Sequence, residues 1–318
     1  MLTVILLLAV GFVAFTNGAN ANFKGVASLY GSGTTTLRRA LYWGTAATFA
    51  GSLAAVFASH GLLKAFSGKG IVADHLVKSP QFVSSVALGA AFTSFLATRL
   101  GFPVSTTHAL LGALLGAGLA GSSSDVNFKA LVEPFLYPLF FSPLVAAALG
   151  AVVYWGLKAI RLAPDHRTKT LDVLHYLSTG AASFARGLND TPKMAALLLL
   201  IPGLEVHWML LGVGVVIALG GLLDADRVAE TLGKKVTDMN PGQGFAASLV
   251  TAALVIAASG RSLPVSTTHV SVGSLSGMGA STKQAKWRTV AEILLAWVTT
   301  VPCGAILAAV AYAIVSRF

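Results

Sequence analysis

A chain of 318 residues, 55% hydrophobic and 11% charged, lies far below the roughly 25% charged residues of an ordinary soluble domain and is expected to be an integral membrane protein. Its net charge of +10 is spread between apolar segments rather than gathered on one module. That excludes a nucleic-acid-binding face and assigns the surplus to loops beside a bilayer and to an anionic substrate.

The first seventeen residues, MLTVILLLAVGFVAFTN, lack the basic start and the small-residue cleavage site of a secretory signal, and read as a retained first membrane segment. Further apolar stretches near the roughly 20 residues that cross a bilayer fall at about 40–65, 82–100, 104–121 and 134–157. GSGTTT (Gly31 to Thr36) lacks the lysine and spacing of a phosphate loop and reads as a turn into the second segment. A basic linker, KAIRLAPDHRTK (158–169), precedes a second set at about 171–201, 207–223, 243–260, 265–280 and 288–315. The single cysteine, Cys303, lies in the last of these and excludes an internal disulfide framework.

The two sets match one another. PVSTTH occurs at Pro103 to His108 and again at Pro264 to His269, and NANFK at Asn20 is echoed by NDTPK at Asn189. Five segments per repeat, an odd number, force the second copy to enter the membrane upside down. The expected fold is an all-α integral membrane protein with two inverted-topology repeats, 1–157 and 170–318, joined by the cytoplasmic linker 158–169. Broken or re-entrant helices are expected at the midplane. With that linker inside, thirteen basic residues face the cytoplasm, among them Arg38, Arg39, Arg99, Arg227, Lys234 and Lys235. Six face outward: Lys64, Lys69, Lys78, Lys129, Arg261 and Arg317. Both termini are then expected outside a multi-pass cell-membrane protein, although Lys64, Lys69 and Lys78 run against the rule.

Pro103 and Pro264 are expected to begin helices, since proline is favoured at a first helical position. Ser105, Thr106, Thr107 and Ser266, Thr267, Thr268 then fall in the first turns, where free N–H groups and the positive helix end face outward. Hydroxyls added there make a site for a tetrahedral oxyanion. Packing polarity alone would also account for hydroxyls in one membrane helix; the symmetric duplication favours the anion site. His108 and His269 are left with two roles, orienting the turn or carrying a proton.

In NGANANFKG and RGLNDTPKM, Asn20 precedes Lys24 and Asn189 precedes Lys193 by four residues, so a carboxamide and an ammonium share one side of a helical turn. A buried ammonium is costly unless paired, and a divalent anion between Lys24, Lys193 and Arg186 would satisfy both lysines. Asp190 is open to two roles, coupling a proton or cation, or neutralising a lysine. Glu292 is a second candidate coupling acid, and Asp172 and His175 are weaker candidates for pairing with these cations.

At these residues the chain resembles the inorganic phosphate transporter (PiT) family, which carries two GANDVANA-like signatures in inverted halves, each followed by a PVSTTH-like segment. Here the copies read GANANFKG and GLNDTPKM, with PVSTTH intact twice. The resemblance implies a secondary transporter of inorganic phosphate, coupled in different members to sodium or protons, with some relatives moving sulfate. By position, Asn20, Asn189 and Asp190 match the signature, and the two Ser-Thr-Thr runs match the substrate-lining hydroxyls. Ala21 replaces the first signature's aspartate, and Lys24 and Lys193 stand where its second asparagine would be. Losing hard oxygen ligands argues against the usual sodium site. The lysines are therefore expected to supply in fixed form the positive charge that sodium brings in relatives, leaving transport proton-coupled or uncoupled.

No catalytic residue, metal site or cofactor is expected beyond a coupling ion, H+ ahead of Na+. The expected partners are phosphate, with sulfate as the alternative, and the lipid bilayer. A homodimer is the assembly entertained, since spacings such as Gly116 with Gly121 permit close helix packing. A membrane-embedded enzyme using Ser and His would need two equivalent sites and has no G-x-S-x-G elbow. An anion channel would lack saturable counterflow.

Overall fold

A computed structural model describes residues 2–58, 60–122, 126–162 and 167–318. Residues 163–166 of the basic linker lie outside the described residues. Among the described residues, ten helices of fifteen residues or more carry the fold: α1 (Leu2–Ala21), α2 (Leu37–Ala58), α3 (Pro80–Arg99), α4 (Thr106–Gly121), α5 (Tyr137–Ala159), α6 (Lys169–Ala195), α7 (Val206–Asp224), α8 (Pro241–Gly260), α9 (Thr267–Ser281) and α10 (Trp287–Val315). Each corresponds to one of the ten stretches read from the sequence.

Their termini follow from local chemistry. Pro80 and Pro241 sit in the first turn of α3 and α8, where a missing N–H does no harm, and Ser79 and Asn240 cap those helices by accepting from Phe82 N and Gln243 N. Thr168 caps α6 in the same way, through Leu171 N. The turn at Gly31 to Thr36 places Gly33 at a φ of 72°, a left-handed conformation that glycine adopts without steric penalty.

Among the described residues seven helical stretches are long and apolar enough to cross a membrane, not ten. α4 and α9, with 16 and 15 residues, rise only about 22–24 Å at 1.5 Å per residue, short of a roughly 30 Å hydrocarbon core. Extended backbone precedes each of them. α6 is long enough, but it carries Asp172, Arg186, Asp190 and Lys193 and so escapes a hydropathy criterion. α1 likewise breaks: its end passes into a 3₁₀ turn at Asn22–Gly25 and then a short helix, Ala27–Gly31.

The packing has an internal twofold pattern. α1 lies against α3 and α7, and its counterpart α6 lies against α8 and α2; α4 packs on α10 as α9 packs on α5. Glycines let the last pairs approach closely. A Cβ on Gly112 or Gly116 would strike the α10 backbone at Val301 and Ala305, and one on Gly273 or Gly277 the α5 backbone at Pro143 and Ala147. α3 and α8 form the centre, with 67% and 72% of their most apolar windows buried. The Phe128–Ala159 and Trp287–Val315 stretches are peripheral, at 17% and 28%, and turn Phe140, Leu144, Val298 and Ile306 outward as lipid-facing helices do.

Contacts just beyond the helix ends define two faces. Arg167 bonds the Thr34 carbonyl at 3.0 Å, Arg227 bonds the Arg99 carbonyl, and Lys286 meets Asp238 at 2.7 Å, so the linker, the starts of α2 and α10, and the ends of α3 and α7 share one face. Asp172, hydrogen-bonded to Arg167, holds that guanidinium above its ordinary pKa. The loop 60–79 and the turn after α6 lie on the other.

Candidate functional site

The extended residues before α4 and α9 meet the breaks after α1 and near the end of α6 at the centre of the molecule. Neither PVSTTH helix begins at its proline. Ser105 and Ser266 are the caps, each accepting from the N–H three residues on, His108 N and His269 N, at 3.2 Å, and the helices start at Thr106 and Thr267. Capping by serine is favoured over a proline start because it satisfies a free N–H that proline cannot reach. The correction matters: Pro103 to Ser105 and Pro264 to Ser266 lie outside the helices, with Ser105 and Ser266 extended, so the carbonyls of this stretch are free to be bonded by side chains.

Two lysines take up those carbonyls. Lys24 Nζ donates to Val104 O at 2.7 Å, Thr268 Oγ1 at 2.6 Å and Asn20 Oδ1 at 3.2 Å. Lys193 Nζ donates to Val265 O, Thr107 Oγ1 and Asp190 Oδ1, each at 2.9 Å. Each ammonium thus grips the carbonyl of its own half's PVSTTH and a threonine of the other half's. Both lysines are buried.

Asp190 is the hub between them. Its Oδ2 lies 3.5 Å from Arg186 Nε, 3.5 Å from Asn17 Nδ2 and 3.4 Å from Thr267 Oγ1. Arg186 also bonds Asn17, through both its carbonyl and its side chain, and Asn22 Oδ1 at 3.2 Å. Asn17 closes the ring by donating to Thr106 Oγ1 at 2.8 Å. Asn20 donates to Thr98 Oγ1 and Phe102 O and accepts from Val104 N. Its counterpart Asn189 donates to Ser259 Oγ at 3.1 Å, and its buried Oδ1 has no hydrogen-bond partner among the described residues.

The structure therefore gathers Asn20, Lys24, Thr106, Thr107, Asp190, Lys193, Thr267 and Thr268 into one buried cluster. Ser105, Ser266 and Asn189 support it from its edge. Glu292 does not join: it lies on α10, half-exposed, bound to Arg288 at 3.2 Å, and no cluster residue reaches it. Asp172 pairs with the exposed Arg167, and His175 bonds Ser28 and Thr34 rather than the cations. His269 stacks on Trp297 at 3.8 Å and meets His108 at 4.6 Å between ring centroids, and its Nδ1 donates to the Leu139 carbonyl rather than to the cluster. Sequence reasoning missed Asn17, Asn22 and the valine carbonyls. Asn17 had a signal, since it occupies in the first repeat the place of Arg186 in the second.

The approaches to the cluster differ by face. Toward the linker, hydroxyls stack beside Lys24: Ser271 Oγ bonds the Lys24 carbonyl at 2.9 Å, Thr251 meets Ser274 at 2.8 Å, Ser178 meets Ser248 at 2.6 Å and Ser28 meets His175 at 2.8 Å. The residues in the equivalent places of the other repeat, Leu110, Ala90, Ala113, Ala9, Ala87, Leu197 and Leu6, all lie in one apolar core.

The sequence matches the Phosphate transporter family over residues 17–308. It is 29% identical over 317 residues to a "Probable low-affinity inorganic phosphate transporter" of Rhizobium meliloti, covering 95% of this chain and 92% of the relative. A protein of the same name from Bacillus subtilis is 28% identical over 333 residues, covering 99% and 98%. The solved structure of "The sodium-dependent phosphate transporter" superposes with a TM-score of 0.82 at 23% identity, covering 100% of this chain and 99% of that one. With seven stretches among the described residues long and apolar enough to cross a membrane, the chain is a multi-pass membrane protein of that fold.

Proposed function

The chain belongs to the phosphate transporter family, and from that premise we propose that it is a secondary transporter carrying inorganic phosphate across the cell membrane by alternating access. One observation carries the reading. Lys24, Arg186 and Lys193 are buried around a single carboxylate, Asp190, which leaves two positive charges unmatched where the two PVSTTH helices begin. Unmatched buried charge is costly, and a dianion bound among them removes that penalty. Thr106, Thr107, Thr267 and Thr268 add donors, and the positive ends of α4 and α9 add their dipoles.

The paired helix contacts support two repeats, 1–157 and 170–318, of inverted topology, and the charge bias of the loops favours both termini outside. Rocking of one repeat against the other would expose the cluster to each side in turn. The threonines bonded across the repeats by Lys24 and Lys193 are the contacts that such rocking must exchange.

Coupling follows from the same lysines. Each ammonium sits among three oxygens, a carbonyl, a hydroxyl and an amide or carboxylate oxygen, the hard donor set that a sodium ion would take. With those oxygens held by tethered cations, sodium has no site there to fill, and transport is driven by protons or by phosphate alone. Sulfate is the second reading: both Asp190 oxygens are already held by cations and donors, and a lining that offers donors only does not reject the unprotonated anion.

Uptake of labelled phosphate into proteoliposomes, with and without unlabelled sulfate and sodium, at two pH values, tests all three statements. Saturable phosphate uptake and counterflow, insensitive to a sodium gradient at fixed pH and voltage, are expected. Steep acceleration by sodium overturns the coupling reading, and failure to move either anion overturns the transporter reading.

A further inference from the structure

On the face opposite the linker, a cavity of about 490 Å³ is rimmed by Lys64, Lys69, Lys78 and His60, with Phe66 and Leu197 among the residues of its inner wall. The three lysines are exposed, and none pairs with a carboxylate among the described residues; the acidic residue of the same segment, Asp74, makes no ion pair either. These are the lysines that run against the charge bias of the loops. A loop that keeps three unpaired ammonium groups at one mouth, on the side where basic residues are disfavoured, calls for an anionic client.

The cavity points at the cluster. Phe66 is buried, edge-on to Phe135 at 5.3 Å, and Lys193 Nζ lies 5.8 Å from the centre of its ring. One aromatic ring thus stands between the lysine-rimmed cavity and an ammonium of the site. Leu114 and Leu197 of the apolar core line the same wall, and the lining offers a single hydroxyl, Ser67, where the linker side has several. At the mouth of this approach the attraction for an anion comes from the charges at the rim.

We propose that this cavity is an outer capture vestibule for the phosphate dianion, in which Lys64, Lys69 and Lys78 concentrate the anion before Phe66 gives way to Lys193. It rests on the transporter reading above. A lining of one sign over low-dielectric walls raises local anion concentration and on-rates by roughly 10 to 10³, an effect that salt screens within a Debye length of about 10 Å at 0.1 M. The same rim chemistry would hold the phosphate group of an anionic lipid, and the test separates the two sources.

The experiment compares the wild type with the triple variant Lys64→Gln, Lys69→Gln, Lys78→Gln. Initial rates of labelled phosphate uptake are measured in vesicles of phosphatidylcholine alone and of phosphatidylcholine with phosphatidylglycerol, at low ionic strength and at about 0.5 M impermeant salt. At low salt KM is expected to rise about three- to tenfold with kcat unchanged. At high salt the difference falls below about twofold, in both lipids. Arginine at all three positions restores the wild-type KM. A KM ratio that salt does not change, a fall in kcat with KM unchanged, or an effect confined to the anionic vesicles overturns the vestibule while leaving the transporter reading intact. A wild type that moves no phosphate overturns both.

Discussion

Lys24 and Lys193 occupy equivalent cages, yet only one contains a carboxylate. Both ammonium groups hold a valine carbonyl of an extended PVS segment and a threonine of the opposite repeat, but the third ligand is the Asn20 carboxamide for Lys24 and the Asp190 carboxylate for Lys193. The difference traces to one position: Ala21 stands in the first repeat where Asp190 stands in the second. The backbone of the site is thus symmetric and its charge is not. A buried ammonium with only neutral ligands is the less well compensated of the two, so under the proposed function the cage at Lys24 is where an incoming anion gains most.

The largest effect is expected from abolishing that difference at Asp190. Asp190→Asn keeps the shape but leaves Lys193 and Arg186 without the carboxylate that both contact. Removing one partner of a buried ion pair is destabilising by about 3–5 kcal/mol. A marked fall in the denaturation temperature of the purified protein is expected, with uptake lost. Added phosphate should recover part of that temperature by binding the stranded cations. An unfolding temperature equal to wild type would mean that the two cations are neutralised by something other than Asp190.

Removing the lysines separately sharpens the comparison. Lys193→Met leaves Asp190 with Arg186 but strips Thr107 Oγ1 and Val265 O of their shared donor, and is expected to lower stability by roughly 1–3 kcal/mol. Lys24→Met removes a buried charge that has no carboxylate in its cage, and stability is expected to change little or to rise, as when buried ions are replaced by apolar groups. Uptake falls in both. The two denaturation temperatures, measured side by side, decide whether the cages differ. Equal destabilisation would show that the Lys24 charge is compensated as fully as that of Lys193.

How much of this was legible in the sequence depends on distance along the chain. The Asn-to-Lys spacing and the paired PVSTTH are local patterns, and they pointed to the residues that meet. Apolar stretches located the ten helices, although among the described residues only seven stretches are long and apolar enough to cross a bilayer. What local pattern could not show is which oxygens each lysine takes, since Thr268 lies in the other repeat from Lys24 and Thr107 in the other repeat from Lys193. The helix starts were misplaced for a similar reason. Proline and serine both favour a helix N-terminus, and their rank is settled by the bond that the His108 N–H donates to Ser105 Oγ. The polarity of α6 concealed a further point: its charged residues are tolerated because α1 and the extended segments before α4 and α9 surround them.

The smallest effect is expected at Glu292, which the charge pattern alone had marked as a coupling acid. Its partner Arg288 is almost fully exposed, and an exposed i, i+4 pair contributes about 0.3–0.5 kcal/mol. Glu292→Gln should therefore leave the denaturation temperature within about a degree of wild type and the pH dependence of uptake unchanged. The result bears directly on the two cages. If Glu292 is dispensable, Asp190 is the sole carboxylate in reach of the buried cations among the described residues, and any proton coupling must act through the cage that has it or through the anion itself. A pH profile displaced by Glu292→Gln would instead place a titrating group at the α10 surface, outside both cages, and the asymmetry between Lys24 and Lys193 would then concern anion binding alone.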